Sequence, residues 1–411
     1  MRSAEAILGE TVREAGDRIR AALAIRFRDL DMAEEAFAFA SLKAVETWAR
    51  DGPPRDPAAW LYAVGRRRAF DIGRRAKVRS GAVHDALEPA PGPETILMAA
   101  FEPIPDERLR LIFICCHPAL APEARIALTL RTLCGLSVER IARAWLTSEV
   151  AMLQRLTRAK RKIRDARIRF EIPEPDAWPE RLDAVLATLE IAYAQAYEDA
   201  ALASDAADLA GESLRLSGLL ADLLPDEPEV LGLAALIRFT ESRRPARLDD
   251  TGAMIPLSEQ DVSLWDGRLI GEAVVLMRRA AALGRSGPYQ LMAAIHATHA
   301  TRIETGVTAW SDIAKLYDIL LSVRPSAVAE VNRAVAVGEA ETPEAGLAAL
   351  AAVTGQERLS AWLPYQAARA GLYAKAGRDA EAAQALRAAL ALNPAPAERM
   401  FLEHRLIHLT R

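Results

Sequence analysis

Cysteine is scarce. Cys115, Cys116 and Cys134 are the only three among 411 residues, too few for the disulfide framework of a small secreted scaffold. Aromatic residues make up 6% and β-branched runs are sparse, while alanine and leucine dominate. That balance disfavours sheet and predicts helix nearly throughout. No apolar run approaches the roughly 18 residues that suggest a membrane span, so no membrane partner is expected. The opening stretch MRSAEAILGETVREAGDR mixes acids and bases without the apolar segment of a secretory signal. A cytoplasmic location is therefore expected.

Catalytic signatures are missing as well. No Walker loop, dinucleotide fingerprint or nucleophile elbow occurs, so neither an enzyme nor a cofactor is expected. Cys115-Cys116-His117 and Cys134 offer adjacent thiols with no second pair to complete a tetrahedral site. They are expected to be small buried hydrophobes rather than metal ligands. His296 and His299 share one helical face with no acid three or four residues away, which leaves them without a metal or catalytic pattern.

What is present is a soluble globular composition, 51% hydrophobic and 26% charged, long enough for two or three domains. The net charge of −4 conceals a division. Residues 1–170 carry 30 Lys/Arg against 22 Asp/Glu, a net +8, whereas residues 171–411 carry 22 against 34, a net −12. A basic front joined to an acidic back suits a nucleic-acid binder carrying a second module.

Four blocks follow from the breakers. Residues 1–79 read as three helices, about 11–28, about 31–50, and a third after Asp56-Pro57, where Asp56 caps and Pro57 fills the first turn. Residues 80–105 hold five prolines and no Lys or Arg, the pattern of a linker. Residues 106–172 are helical again, with Gly135 closing one helix and Ser137 capping the next. Residues 173–411 form a wholly helical tail. Pro325 and Pro394 lie 69 residues apart, close to twice a period of about 34 residues. Between them Ala368 and Gly371 are expected at a helix crossing, Gly377-Arg378 at a turn, and Ala380, Ala383, Leu386 and Ala389 on a second helix.

The sharpest local signal is LCGLSVERIARAWLTSEVAMLQRLTRAKRKIRDARIRF. It predicts a helix from Ser137 to Trp145, a turn at Leu146-Thr147 and a second helix from Ser148. Val138, Ile141 and Ala142 are expected inward on the first, and Val150, Leu153, Leu156 and Ile163 on the second. This is a helix-turn-helix, whose second helix enters the major groove. Base reading is expected of Gln154, Thr157 and Arg158. Ser148 stands at the helix start, and Arg155, Lys160, Arg161, Lys162 and Arg164 supply cations for phosphates. In PAAWLYAVGRRRAFDIGRRAKVR, Trp60, Leu61 and Val64 share one face, with Tyr62, Phe70, Arg66, Arg67, Arg68, Arg74 and Arg75 around the rest. Aromatics beside cations can track a backbone and stack on unpaired bases, although Trp60 is expected in the core.

These motifs, in this order, resemble an extracytoplasmic-function sigma factor of RNA polymerase. DMAEEAF (Asp31 to Phe37) is similar to the acidic helix that docks on the β′ clamp helices. AWLYAVGRRRAFDIGRR (Ala59 to Arg75) is similar to the −10 reading segment, and the helix-turn-helix to the −35 reader. The stretches EQDVSLWDGRLI, GPYQLMAAIHA and AEVNRAVAV resemble the subgroup with a tetratricopeptide-like C-terminal extension. Where the family usually has a polar pair after the acidic dipeptide, this chain has Ala38-Phe39.

The resemblance implies an all-α architecture. Sigma region 2 (1–79) is followed by a linker (80–105), region 4 (106–172) and a helical-repeat extension (173–411). It implies core-polymerase docking through Asp31, Glu34 and Glu35, and −10 contacts from Tyr62, Arg66, Arg67, Arg68, Arg74 and Arg75. The −35 contacts would come from Ser148, Gln154, Arg155, Thr157, Arg158, Arg161 and Lys162. The implied partners are core RNA polymerase (β′ clamp helices and β flap), promoter DNA, and a protein or peptide for the tail. The residues also admit a one-component regulator, with a helix-turn-helix and a helical-repeat sensor. The acidic helix and the arginine-rich −10 segment have no use in such a protein.

Overall fold

The computed structural model describes residues 4–80, 106–144, 147–173, 175–198, 204–353 and 359–410. The described residues are helical apart from turns, short 3-10 segments and one isolated bridge between Leu248 and Met254. Contacts divide the chain into two compact units, Met1–Ala192 and Tyr193–Arg411.

The first unit opens with three helices whose ends follow local chemistry. Helix α1 spans Ala4–Phe27 and α2 spans Leu30–Asp51. The Asp29 carboxylate caps α2 by accepting from Met32 N at 3.0 Å. Helix α3 spans Pro57–Ser80, and Asp56 accepts from Ala59 N at 3.0 Å ahead of it. The Asp56 cap lies where the sequence places it, although α1 begins seven residues earlier than its periodicity suggests. The three helices pack on one another around Ile19, Leu23, Ala36, Ala40 and Leu61, all essentially inaccessible.

Four further helices follow: α4 (Arg108–Cys115), α5 (Pro122–Thr132), α6 (Val138–Ala144) and α7 (Glu149–Asp165). The expected linker at 80–105 lies, after Ser80, outside the described residues. In place of two separate bodies, α4 and α5 rest directly on α1. Arg20, nearly buried, donates from Nε to Thr132 O at 3.0 Å and from Nη2 to Leu133 O at 2.8 Å. Those carbonyls end α5 and have no intrahelical partner of their own. The same guanidinium lies 4.9 Å over the Phe37 ring. Gly135, at φ +70°, passes so close that a Cβ there would stand 2.9 Å from Arg20 Nη1. Glycine supplies both the left-handed conformation and the space.

The unit also extends past the expected boundary at 172. Helix α8 (Trp178–Glu198) begins against α4, with the Trp178 ring 5.0 Å from Phe113 and Arg181 donating to Phe113 O. Pro173 and Pro175 break the helix without ending the packing.

The second unit continues with α9 (Ser204–Leu223), α10 (Pro228–Glu241), α11 (Gly267–Ala282), α12 (Pro288–Ala300), α13 (Arg302–Thr305) and α14 (Trp310–Val323). It closes with α15 (Ala327–Ala340), α16 (Pro343–Ala351), α17 (Leu363–Lys375), α18 (Asp379–Ala391) and α19 (Pro396–Thr410). Neighbours pair along the chain: α10 with α11 and α12, α14 with α15, α15 with α16, α17 with α18, α18 with α19. Glu229 of α10 caps α12 from a distance, accepting from Tyr289 N at 2.8 Å and Gln290 N at 3.2 Å.

The expected hairpin of α17 and α18 is present, with Gly377 at the turn. Ala383, Leu386 and Ala389 are buried on α18, whereas Ala380 is exposed. Gly371 is not at a crossing, since a Cβ there would meet nothing within 4 Å. The close approach falls on Gly338 and Gly346, where a Cβ on Gly346 would lie 2.7 Å from Gly338 Cα. Two glycines face each other there and let α15 and α16 touch backbone to backbone.

Candidate nucleic-acid interface

The helix-turn-helix is formed by α6 and α7. Ser137 Oγ accepts from Arg140 N at 3.2 Å and Ser148 Oγ from Ala151 N at 3.2 Å, so each helix carries its own serine cap. Trp145 and Leu146 lie outside the described residues. On α6, Ile141 and Ala142 are buried and Val138 is half-buried, as the periodicity predicts.

On α7 the predicted inward face is half right. Leu156 and Ile163 are buried together with Met152 and Ala159, but Val150 and Leu153 are 66% and 56% exposed. The inward stripe is Met152, Leu156, Ala159 and Ile163, at the i, i+4, i+7, i+11 spacing of one helical face. Val150 and Leu153 fall on the opposite side with Gln154, Thr157, Arg158 and Arg161, all exposed. The outward face is therefore graded: apolar in its first turns, polar in the middle, cationic toward its end.

The other predicted −35 residues divide. Ser148 is engaged as a cap, and Arg155 is half-buried. Arg161 pairs with Asp165 at 3.2 Å, while Lys162 is exposed. Thr157 donates to Leu153 O at 2.8 Å, which leaves its methyl and oxygen lone pairs for a ligand.

Helix α3 shows a different arrangement. Tyr62 is 5% exposed and belongs to the core, not to an open −10 surface. It lies on the strip of Ala59, Leu61 and Ala63, where α3 faces α1 and α2. Arg67, Arg74 and Arg75 are exposed, and Arg66 is half-buried. Arg68 reaches back to α2, pairing with Glu35 at 2.6 Å and lying 4.9 Å over the Phe39 ring.

Between α2 and α3 lies an open groove of about 270 Å³ lined by Phe39, Lys43, Thr47, Trp60, Val64, Arg67, Arg68 and Asp71. Phe39 is flanked by two cations, Lys43 and Arg68, and Trp60 stands edge-on to Trp48 at 5.4 Å. This groove places aromatic faces beside cations, which is what stacking on unpaired bases requires. Phe39, Lys43 and Trp60 were not among the expected contacts. The signal for Phe39 was its position, an aromatic on the solvent side of an otherwise acidic helix.

The docking acids of α2 are occupied within the chain. Asp31 pairs with Lys160 at 2.8 Å and Arg164 at 3.2 Å; Glu34 pairs with Lys160 at 3.2 Å and Arg131 at 3.4 Å. Farther along the same outer face of α2, Leu42 and Val45 are 56% and 46% exposed.

Among the described residues, no group of three or more His, Cys, Asp or Glu is placed to hold a metal ion. Cys115 and Cys116 are buried, and desolvation pushes both thiols up. Wholly buried Arg243 brings Nη2 to 2.8 Å from His296 Nδ1, so His296 accepts and stays neutral, its pKa driven well down by burial. Burial and then Arg243 take His299 down to about 4, and burial with Arg181 takes His117 to about 4.

These shifts predict acid lability. An unfolded histidine takes up a proton near pH 6.5 that folded His299 refuses until about pH 4. Stability is then flat above pH 6.5 and falls as the pH drops through that window, by up to about 1.4 kcal/mol per pH unit for the buried His299. The thermal midpoint should decline from pH 7 to pH 5, and His299→Gln should flatten the decline. A midpoint independent of pH over that range would contradict the burial.

Comparison with known proteins agrees with this geometry. Residues 110–163, which take in most of α4 to α7, match the family described as sigma-70, region 4. Residues 181–281 match a family of unknown function, DUF6596. No solved structure matches the chain. The molecule is thus an all-helical, multi-domain protein carrying a sigma-70 region 4 domain, which supports a sigma-70-type factor working with RNA polymerase at promoter DNA. An uncharacterized protein of Rhizobium meliloti (strain 1021) is 42% identical over 387 residues, 93% of this chain and 91% of the relative, and the chain belongs to the same family as that protein. Among the described residues no helix is long and apolar enough to cross a membrane.

Proposed function

We propose that this chain is a sigma factor of the extracytoplasmic-function type, in the subgroup with a tetratricopeptide-like tail. It binds core polymerase, recognises the −35 and −10 elements and directs initiation without catalysing a reaction itself. The observation that carries this reading is the pairing of two unlike nucleic-acid surfaces in one unit. The graded outer face of α7 suits a duplex major groove. The Phe39–Trp60 groove with Lys43, Arg67 and Arg68 suits unpaired bases. A duplex-only regulator has use for the first and none for the second.

In this reading the outer face of α2, acidic at Asp31, Glu34 and Glu35 and apolar at Leu42 and Val45, docks on the polymerase. The tail, built of consecutive helix pairs, regulates or scaffolds the DNA-binding half. Helix pairs of this kind present surfaces for peptides or partner domains. The test is transcription from a defined promoter by purified protein plus core polymerase. Promoter-specific transcripts support the proposal. Tight duplex binding with no affinity for core polymerase would replace it with the one-component regulator.

A further inference from the structure

We infer that the tail binds a small phosphate-bearing molecule through Arg243 and Arg247, where α8, the end of α10 and α12 come together. Binding there is independent of what the DNA-binding unit does, so it stands apart from the sigma-factor reading. Arg243 is 5% exposed, and an arginine cannot shed its charge to ease burial. A charge taken out of water normally stands against an opposite charge. Arg243 has none. Its Nη2 meets His296 Nδ1 at 2.8 Å, and that imidazole, held neutral by burial, supplies an acceptor without a charge. Its other polar neighbours, Tyr193, Tyr197 and Tyr317, are phenols, and burial pushes Tyr193 and Tyr317 further from ionisation. Its Nη1 is buried with no hydrogen-bond partner.

Arg247, four residues on, repeats the defect. Its guanidinium lies 4.1 Å over the Tyr197 ring, and its Nη1 is likewise buried and unpartnered. The carboxylate at hand, Glu241, is already engaged. Arg244 donates to both of its oxygens, and the Tyr193 hydroxyl donates to one of them at 2.9 Å. Among the described residues Arg243 and Arg247 form no ion pair. The C-terminal end of α10 contributes only about half a negative charge, which leaves most of two positive charges uncompensated. Residues 171–411 are net −12, so acids abound in this half of the chain and none is spent here.

Two uncompensated guanidinium groups match a phosphate monoester, which carries about −1.5 to −2 charges at pH 7 and offers three acceptor oxygens. Planar guanidinium donors suit such oxygens. A carboxylate would balance only one of the two cations. Tyr197, Arg244 and Arg247 are half-buried and give the site an edge toward solvent, with Arg243 at its floor.

The experiment uses the full chain. Isothermal titration calorimetry with inorganic phosphate, at fixed ionic strength, should show saturable binding at one site. Arg247→Gln should weaken it at least about tenfold, the worth of one charge-assisted hydrogen bond. Arg243→Gln, which keeps a donor for His296, should do the same. Glycerol 3-phosphate separates the two sources of such a group. Tighter binding than inorganic phosphate marks an organic phosphomonoester as the ligand, and equal or weaker binding marks the free ion. Acetate that binds as tightly as phosphate overturns the phosphate assignment. No saturable heat up to about 10 mM phosphate, a concentration at which even a weak millimolar site is occupied, overturns the inference. Equal affinity in wild type and both variants overturns it too.

A second measurement needs no variant, in case both substitutions fail to fold. The thermal midpoint of wild type should climb with the logarithm of phosphate concentration, as a bound ligand requires. No climb, or one in simple proportion to concentration as general salt exclusion produces, overturns the inference.

Discussion

A fragment ending at residue 172 is expected to misfold or aggregate, whereas one ending at Glu198 is expected to fold. The first cut follows the breakers Pro173 and Pro175, but it removes Trp178 from Phe113 and Arg181 from the Phe113 carbonyl. Phe113 is wholly buried at the centre of α4. Losing an aromatic partner of this kind costs about 3–5 kcal/mol, a large part of the 5–15 kcal/mol typical of a whole domain. The Thr188 hydroxyl that bonds the buried Cys116 thiol goes as well. Circular dichroism melts of the two fragments decide the matter, and a cooperative transition at an unshifted midpoint in the shorter one would refute it. The longer fragment then becomes the proper probe of the tail. Greater promoter activity than the full chain would mark the tail as a brake, and lost activity in a folded fragment would mark it as a scaffold.

The same contrast shows which parts of the structure were legible in the sequence. Caps and stops were, because each depends on a few adjacent residues: Asp56, Ser137 and Ser148 at helix starts, Gly135 and Gly377 at ends. The order of helices and the helix-turn-helix were legible for the same reason. Misreadings arose where a partner distant in sequence chooses between equivalent local patterns. Helix α7 offers two apolar sets, one with Val150 and Leu153, the other with Met152 and Ala159. Only the packing of α5 and α6 against it selects the second. Tyr62 looked like an exposed aromatic among arginines, yet its face of α3 is the one that meets the other two helices. The charge of α2 and α7 was read correctly on each helix separately. That Asp31 meets Lys160 across 129 positions is a property of the fold, invisible to any local window.

Binding to a −35 duplex should respond very differently to four substitutions on α7. Arg158 is exposed on the outer face at the middle of the helix, where a guanidinium can fork onto guanine O6 and N7. Arg158→Ala should cost about 1–3 kcal/mol on the cognate sequence and little on random DNA, relaxing specificity at one base pair. Lys162 stands off that face, so Lys162→Ala should weaken cognate and random DNA alike and flatten the salt dependence by about one charge. Leu153 and Leu156 separate readout from folding. Leu156 is 3% exposed, and Leu156→Ala should lower stability by about 2–5 kcal/mol. Leu153 is 56% exposed, so Leu153→Ala should leave stability within about 0.5 kcal/mol. It should nonetheless weaken cognate binding if its side chain rests on a thymine methyl, the apolar feature of the major groove. Binding isotherms at two salt concentrations, on cognate and scrambled duplexes, with a thermal melt of each variant, distinguish all four. Equal losses for Arg158→Ala and Lys162→Ala on both duplexes would reduce the outer face of α7 to a phosphate contact. A Leu153→Ala variant as unstable as Leu156→Ala would return Leu153 to the core.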